Sequence, residues 1–341
     1  MTTRRALDPG SEVGVSLLEI LIGLALSLTV AGGIFTLAAP ASTLSASLPE
    51  LADVSQRARY AFERLRRDLR DVGYGLRGHP TFPPEASAAV LLPYRLGRNA
   101  PVGAHRAPTS STLTLLRAAG SASPGRTAGP VAGATPVVDL EPDGTCGRRR
   151  CGAGAGDLVM LSNDEGLWEL FRVQDRSGLR LSLDRLHATT SSFASGAKVT
   201  VVQLDHYYHD ETRDQLRHYD GWRADFPLIE GVVAFEVQWR VAPPLSPTPC
   251  LPAGDEGAPL HEVSLSALAD GPWCGPAGLP HDGDLQRVRS VDVVLRAQAS
   301  IAQFRGRDPR LFLKPGSARA RAQVPDLTIG FRVSPPNLRV P

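Results

Sequence analysis

The feature that most constrains this chain is an apolar run near its beginning. Residues 17–39, "LLEILIGLALSLTVAGGIFTLAA", hold a single charged side chain, Glu19. As a helix rising about 1.5 Å per residue, the run extends about 35 Å, enough to cross a hydrocarbon core about 30 Å thick. The rest of the chain must therefore fold from one end of a hydrophobic rod. Glu19 is the anomaly in that rod. An acidic residue at the centre of a membrane helix costs about 2.5–3.5 kcal/mol on insertion scales, so such groups are normally partnered and functional.

The preceding "MTTRRALDPGSEVG" is short and polar, and Arg4 and Arg5 place positive charge on the side expected to stay cytoplasmic. An ordinary secretory signal would be cut at small residues around "APAS" or "SAS", and an uncleaved signal anchor would keep the whole run. Neither accounts for a carboxylate at the head of the apolar segment. The next stretch, "LADVSQRARYAFERLRRDLRDVGY", puts Leu51, Val54, Ala58, Phe62, Leu65, Leu69 and Val72 at helical spacing. Its other face carries Arg57, Arg59, Glu63, Arg64, Arg66, Arg67, Asp68, Arg70 and Asp71. This predicts an amphipathic helix over 40–75 docked on a sheet, with a solvated charged side and with Pro40 and Pro49 as places for a kink. Interleaved acids offset the arginines, so neither nucleic acid nor anionic lipid is expected on that face. Helix arrest is expected at Gly73, Gly75 and Gly78.

Beyond residue 79 the pattern changes to short β-type runs between turn signals. "AAVLLPYRL", "TLTLLRAA", "GDLVMLSND", "LWELFRVQD" and "LRLSLDRL" read as strands of an antiparallel meander. "AKVTVVQLDHYYHD" is the most β-rich stretch, with "QLRHYDGW" as its hairpin return; "LIEGVVAFEVQWRV" (228–241), "LQRVRSVDVVLRAQAS" (285–300) and "QVPDLTIGFRVSPPNL" (323–338) follow. Residues 120–136 read as an exposed loop of low complexity, and 242–283 as a Pro/Gly-rich excursion. With 33 glycines and 29 prolines the chain is rich in turns, and no helices alternate with its strands, which argues against a doubly wound fold. The expected class is α+β: a long N-terminal helix packed on a mainly antiparallel β-sheet domain spanning 76–341. Four cysteines in an exported chain read as two disulfides. They allow three connectivities, of which local pairing, Cys146–Cys151 and Cys250–Cys274, is the expected one.

The N-terminal "GVSLLE" resembles the processing site of type IV pilins and of the pseudopilins of type II secretion. The resemblance implies that a prepilin peptidase cuts after Gly14, removing residues 1–14, and methylates the new N-terminus at Val15. It also implies that Glu19, the fifth residue of the mature chain, pairs with the positive N-terminal amine of a neighbouring subunit. Val15 stands where the family usually has phenylalanine, and Asp8 and Glu12 make the leader less basic than most. The order "YYHDETRDQLRHY", "PLIEGVVAFEVQW", "VRSVDVVLRAQAS" and a terminal strand is similar to the PilW-type minor pilins, with the J-type pseudopilins next. Of a terminal Arg-Asn-Leu pattern, only Asn337 and Leu338 remain. Implied partners are the prepilin peptidase, other minor and major pilins or pseudopilins, and inner-membrane lipid. The implied topology is a single pass over residues 15–39 of a bacterial inner membrane, with a periplasmic domain that later joins a pilus or pseudopilus. The reading from another class is a secreted or anchored hydrolase or binding protein with an ordinary signal.

No catalytic motif supports that last reading. The serines lack a G-x-S-x-G setting, and no phosphate-binding glycine loop occurs. His206, His209 and His218, with Asp205, Asp210 and Glu211, form the densest group of possible ligands. In a strand, however, His206 and His209 face opposite ways, and an exposed hairpin end is the expected setting. "HDETRD" lacks the regular calcium-loop spacing, and "CGRRRC" is not C-x-x-C. Trp168, Trp222, Trp239 and Trp273 are scattered and read as packing residues. No metal, cofactor or nucleic acid is expected, and a net charge of +2 adds no electrostatic signal. The expectation is a structural, non-catalytic protein.

Overall fold

The computed structural model describes residues 16–76, 89–98, 100–101, 103–120, 124–133, 135–142, 153–164, 167–186, 191–244, 250, 258–275, 280–317 and 322–338. Gly14, Val15, Cys146 and Cys151 lie outside the described residues. The architecture is α+β, one N-terminal apolar helix followed by a mostly antiparallel β domain.

Helix α1 (Leu17–Asp71) is one element of 55 residues and runs through Pro40 and Pro49. Its two ends meet different surroundings. None of Leu17–Thr36 is buried within the chain. Farther along, Val54, Ala58, Ala61, Leu65, Leu69 and Val72 are fully buried, their spacing of three and four placing them on one stripe. Burying a Val or Leu side chain is worth about 1.5–3 kcal/mol, so this stripe pins the helix to the domain. Leu51 was expected in the stripe but is 44% exposed. At its level Glu50 makes the contact instead, accepting hydrogen bonds from the backbone N–H groups of Ser300 and Ile301. Phe62 meets Phe331 edge to face, with centroids 4.8 Å apart.

The helix stops where Gly73 takes φ +75°, and its N–H donates to Leu116 O at 2.9 Å. The side-chain amide of Asn337 donates to Arg70 O and Val72 O at 3.3 and 3.2 Å, satisfying carbonyls that a helix end leaves open. The chain's last described turn thus closes the helix end, with Leu338 buried beside it.

The strands are β1 (Leu91–Leu92), β2 (Thr112–Ala118), β3 (Gly125–Arg126), β4 (Val137–Asp139), β5 (Leu158–Ser162), β6 (Trp168–Ser177), β7 (Arg180–Arg185), β8 (Lys198–Asp210), β9 (Gln215–Tyr219), β10 (Asp225–Glu230), β11 (Val232–Val241), β12 (His261–Val263), β13 (Trp273–Cys274), β14 (His281–Asp282), β15 (Val288–Ala297) and β16 (Leu327–Val333). The large sheet runs β1-β2-β8-β5-β6-β7-β4. Strand β8 is its spine: its first part lies between β3 and β5, its later part between β2 and β9. A second sheet runs β12-β11-β15-β16. Period-two alternation divides two cores. Leu158, Met160, Leu170, Val202 and Leu204 join the core shared with α1, while Val159, Leu161, Phe171, Val199 and Val201 fill a smaller core.

Two expectations are corrected. The run 228–241 is two strands, because Gly231 (φ +72°) turns the chain from β10, paired with β9, into β11, paired with β15. A Cβ there would lie 2.9 Å from Gln298 O, so only glycine fits this turn. Residues 120–136 are not simply an exposed loop: β3 pairs with β8, Thr127 bridges Leu140, Val131 bridges Phe193, and Thr127 and Val131 are buried. The excursion at 242–283 is stapled by the expected Cys250–Cys274 disulfide, with Cα atoms 5.5 Å apart, and it contributes β12 to the second sheet and carries the β13–β14 pair.

Candidate functional site: the helix and its seat

The exposed end of α1 begins at Ser16, whose hydroxyl accepts a hydrogen bond from Leu18 N at 3.3 Å. Such a side-chain cap favours helix initiation here. Glu19 sits in the first turn, where the helix dipole favours negative charge. The carboxylate is exposed and has no hydrogen-bond or ion-pair partner among the described residues. Around it Leu17, Leu18, Ile20, Leu21 and Ile22 are all more than half exposed. Over Leu17–Thr36 the helix is long and apolar enough to cross a membrane. The arrangement is a bare hydrophobic rod with one unmatched anion near its tip.

At the other end, charge ties α1 to the large sheet. Asp68 was expected on the solvated face; instead it is 2% exposed. Tyr207 Oη donates to Asp68 Oδ2, Arg64 Nε lies 2.8 Å from the same oxygen, and Arg117 Nη1 lies 3.3 Å from Oδ1. Arg117 Nη2 is also 3.2 Å from Asp205 Oδ2, and His218 Nε2 is 2.7 Å from Asp205 Oδ1. Arg117 thus bridges a helix carboxylate and a strand carboxylate. Burial pushes the Asp205 carboxyl up, but the His218 hydrogen bond and the Arg117 and Arg64 charges outweigh it and hold its pKa below the usual value. Burial together with the Asp68 and Asp205 charges drives the Tyr207 phenol far above its ordinary value, so it remains a donor.

The histidines are corrected as well. His206 and His218 are 1% and 8% exposed rather than at an open hairpin end, because β8 is covered on both edges at that point. Thr114 Oγ1 donates to Tyr94 O at 2.6 Å, so its contact with His206 Nδ1 at 2.6 Å makes that nitrogen the donor. Burial, with the nearby Arg95 charge, lowers the His206 pKa to about 3, and the ring is neutral. His209 Nε2 lies 2.8 Å from Val232 O. Asp210 Oδ1 accepts from its own turn, from Thr212 N and Oγ1 and Arg213 N. Among the described residues no three His, Cys, Asp or Glu side chains are grouped to hold a metal.

No family model, characterised protein or solved structure matches the chain. The tryptophans divide as packing would have it: Trp168 and Trp239 are buried, while Trp273 is 38% exposed beside His105, with centroids 5.0 Å apart. The helix seat was missed in the sequence because Asp68 and Tyr207 are 139 positions apart. Asp68 directly follows the pair Arg66–Arg67 and precedes Leu69 of the apolar stripe, and nothing in the sequence sets it apart from the charges around it.

Proposed function

We propose that this chain is a minor subunit of a type IV pilus-like filament, PilW-like, cut after Gly14 by a prepilin peptidase and methylated on Val15. The observation that carries the proposal is Glu19: one carboxylate, without a partner among the described residues, on an unburied membrane-length helix, and fifth in the chain that cleavage after Gly14 would leave. In lipid such a charge is costly alone and tolerable as a pair. The free amine of a neighbouring subunit's processed N-terminus supplies the opposite charge, and the exposed rod supplies the packing surface. Lipid is as apolar as leucine, so association rests on close packing at small residues such as Gly23, Gly32 and Gly33 and on that charge pair. At all three glycines an added Cβ would meet no atom within 4 Å of this chain, leaving that surface open to another helix.

In this reading the protein is structural, its β domain lies on the periplasmic side, and the Asp68–Arg117–Asp205 seat transmits the position of the domain to the rod. The test is Glu19→Ala in the full chain. The variant should still fractionate with the inner membrane, while its copurification with neighbouring pilins falls at least tenfold. Undiminished copurification would sink the pairing.

A further inference from the structure

A cleft of about 610 Å³ opens on the large sheet, and no residue of α1 lines it. Three separate segments build it. Gly97 (φ +110°) lets the loop after β1 press on the β9–β10 turn: a Cβ there would lie 2.3 Å from Gly221 O, and Arg98 N donates to that oxygen at 2.9 Å. The turn itself is held by Asp220 Oδ1, which accepts from Trp222 N, Arg223 N and Ala224 N at 2.8, 2.9 and 3.1 Å. The third wall is β6, whose pairing with β7 shifts register between Val173 and Asp175, so that Gln174 falls on a bulge.

These segments bring three guanidinium groups to one indole. Arg98, Arg172 and Arg223 lie 4.6, 5.7 and 5.8 Å from the centroid of Trp222. Asp184 and Asp220 also line the cleft, and against the three guanidinium groups they leave a net positive charge for an incoming oxyanion. None has an ion-pair partner among the described residues. Stacking on tryptophan explains one arginine; three on one ring call for an anion. Arginine forks suit carboxylate and phosphate oxygens. Asp184 and Gln174, also lining the cleft, make no side-chain hydrogen bond among the described residues and suit hydroxyl groups. The volume falls in the range that takes small organic ligands rather than a bare ion.

We propose that this cleft binds an acidic sugar, its oxyanion held by Arg98, Arg172 and Arg223 and its hydroxyls by Asp184 and Gln174. The site is separate from Glu19 and from α1. The test is calorimetric titration of the full chain in detergent with glucuronate, glucose 6-phosphate, glucose and inorganic phosphate. Glucuronate or glucose 6-phosphate should bind at least tenfold tighter than glucose and than inorganic phosphate, and should weaken severalfold as sodium chloride rises from 50 to 300 mM. Arg98 and Arg223 are exposed, and the Arg98→Gln/Arg223→Gln variant should keep its far-ultraviolet circular dichroism and urea midpoint while losing at least tenfold in affinity. A tetrameric glucuronide binding tighter than the monomer would assign the ligand to a polymer, and equal binding to a free sugar. Absence of saturable binding, inorganic phosphate binding as tightly as either acidic sugar, or affinity indifferent to salt would overturn the proposal.

Discussion

The seat of α1 makes the most quantitative prediction. Asp68 is buried against Tyr207, Arg64 and Arg117. Removing one partner of a buried ion pair costs about 3–5 kcal/mol, because the others stay behind uncompensated. Arg64 is 33% exposed and can rehydrate, so the low end applies, and Asp68→Ala should cost about 3 kcal/mol. Tyr207→Phe deletes the hydrogen bond donated to the Asp68 carboxylate, worth about 1.5–3 kcal/mol, together with a longer one accepted from Arg64 Nε at 3.3 Å. Both variants remove the same Tyr207–Asp68 bond, so the double variant should cost about 1–2 kcal/mol less than the two singles together. The assay is urea unfolding of the full chain in detergent, followed by near-ultraviolet circular dichroism and linear extrapolation. Additivity within about 0.5 kcal/mol would refute the shared bond, and a cost below about 1 kcal/mol for Asp68→Ala would mean that Asp68 behaves as a surface residue.

Two further outcomes are expected. His206 titrates near 3 when folded and near 6.5 when unfolded, so the unfolded chain takes up the proton first and stability is lost as pH falls from about 6.5 toward 3. At pH 5 the loss should be about 2 kcal/mol relative to pH 7, and His206→Gln, though less stable at neutral pH, should lack that part of the acid slope; identical slopes would contradict the buried neutral ring. Replacing Cys250 and Cys274 by serine releases a crosslink spanning 24 positions and should lower stability by about 3 kcal/mol in urea unfolding, where a loss below about 1 kcal/mol would show the staple to be idle.

What the sequence revealed, and what it hid, follow one physical division. The rod was legible because twenty-three residues with a single charge permit few settings. Most strands were legible from alternation, but the terminal run 323–338 holds a shorter strand, Leu327–Val333, and Asn337 lies in the turn after it. What pattern alone could not show was the partnering of polar groups. Asp68 reads as a surface acid until strands β2 and β8 bring Arg117 and Tyr207 to it. His206 reads as exposed at a hairpin end until β2 and β9 cover both edges of β8. Gly231 sits inside a continuous run of strand formers, and only the closeness of Arg57 and Gln298 shows why the chain turns there. Arg98, Arg172 and Arg223 share nothing in sequence; Trp222 is where three segments meet.

The central claim is that Glu19 belongs to a processed filament subunit, and its most direct test is the N-terminus of the mature protein. Mass spectrometry of the chain purified from its native membrane should find it beginning at an N-methylated Val15. A start near residue 42 or 47, or an intact Met1, would contradict the account.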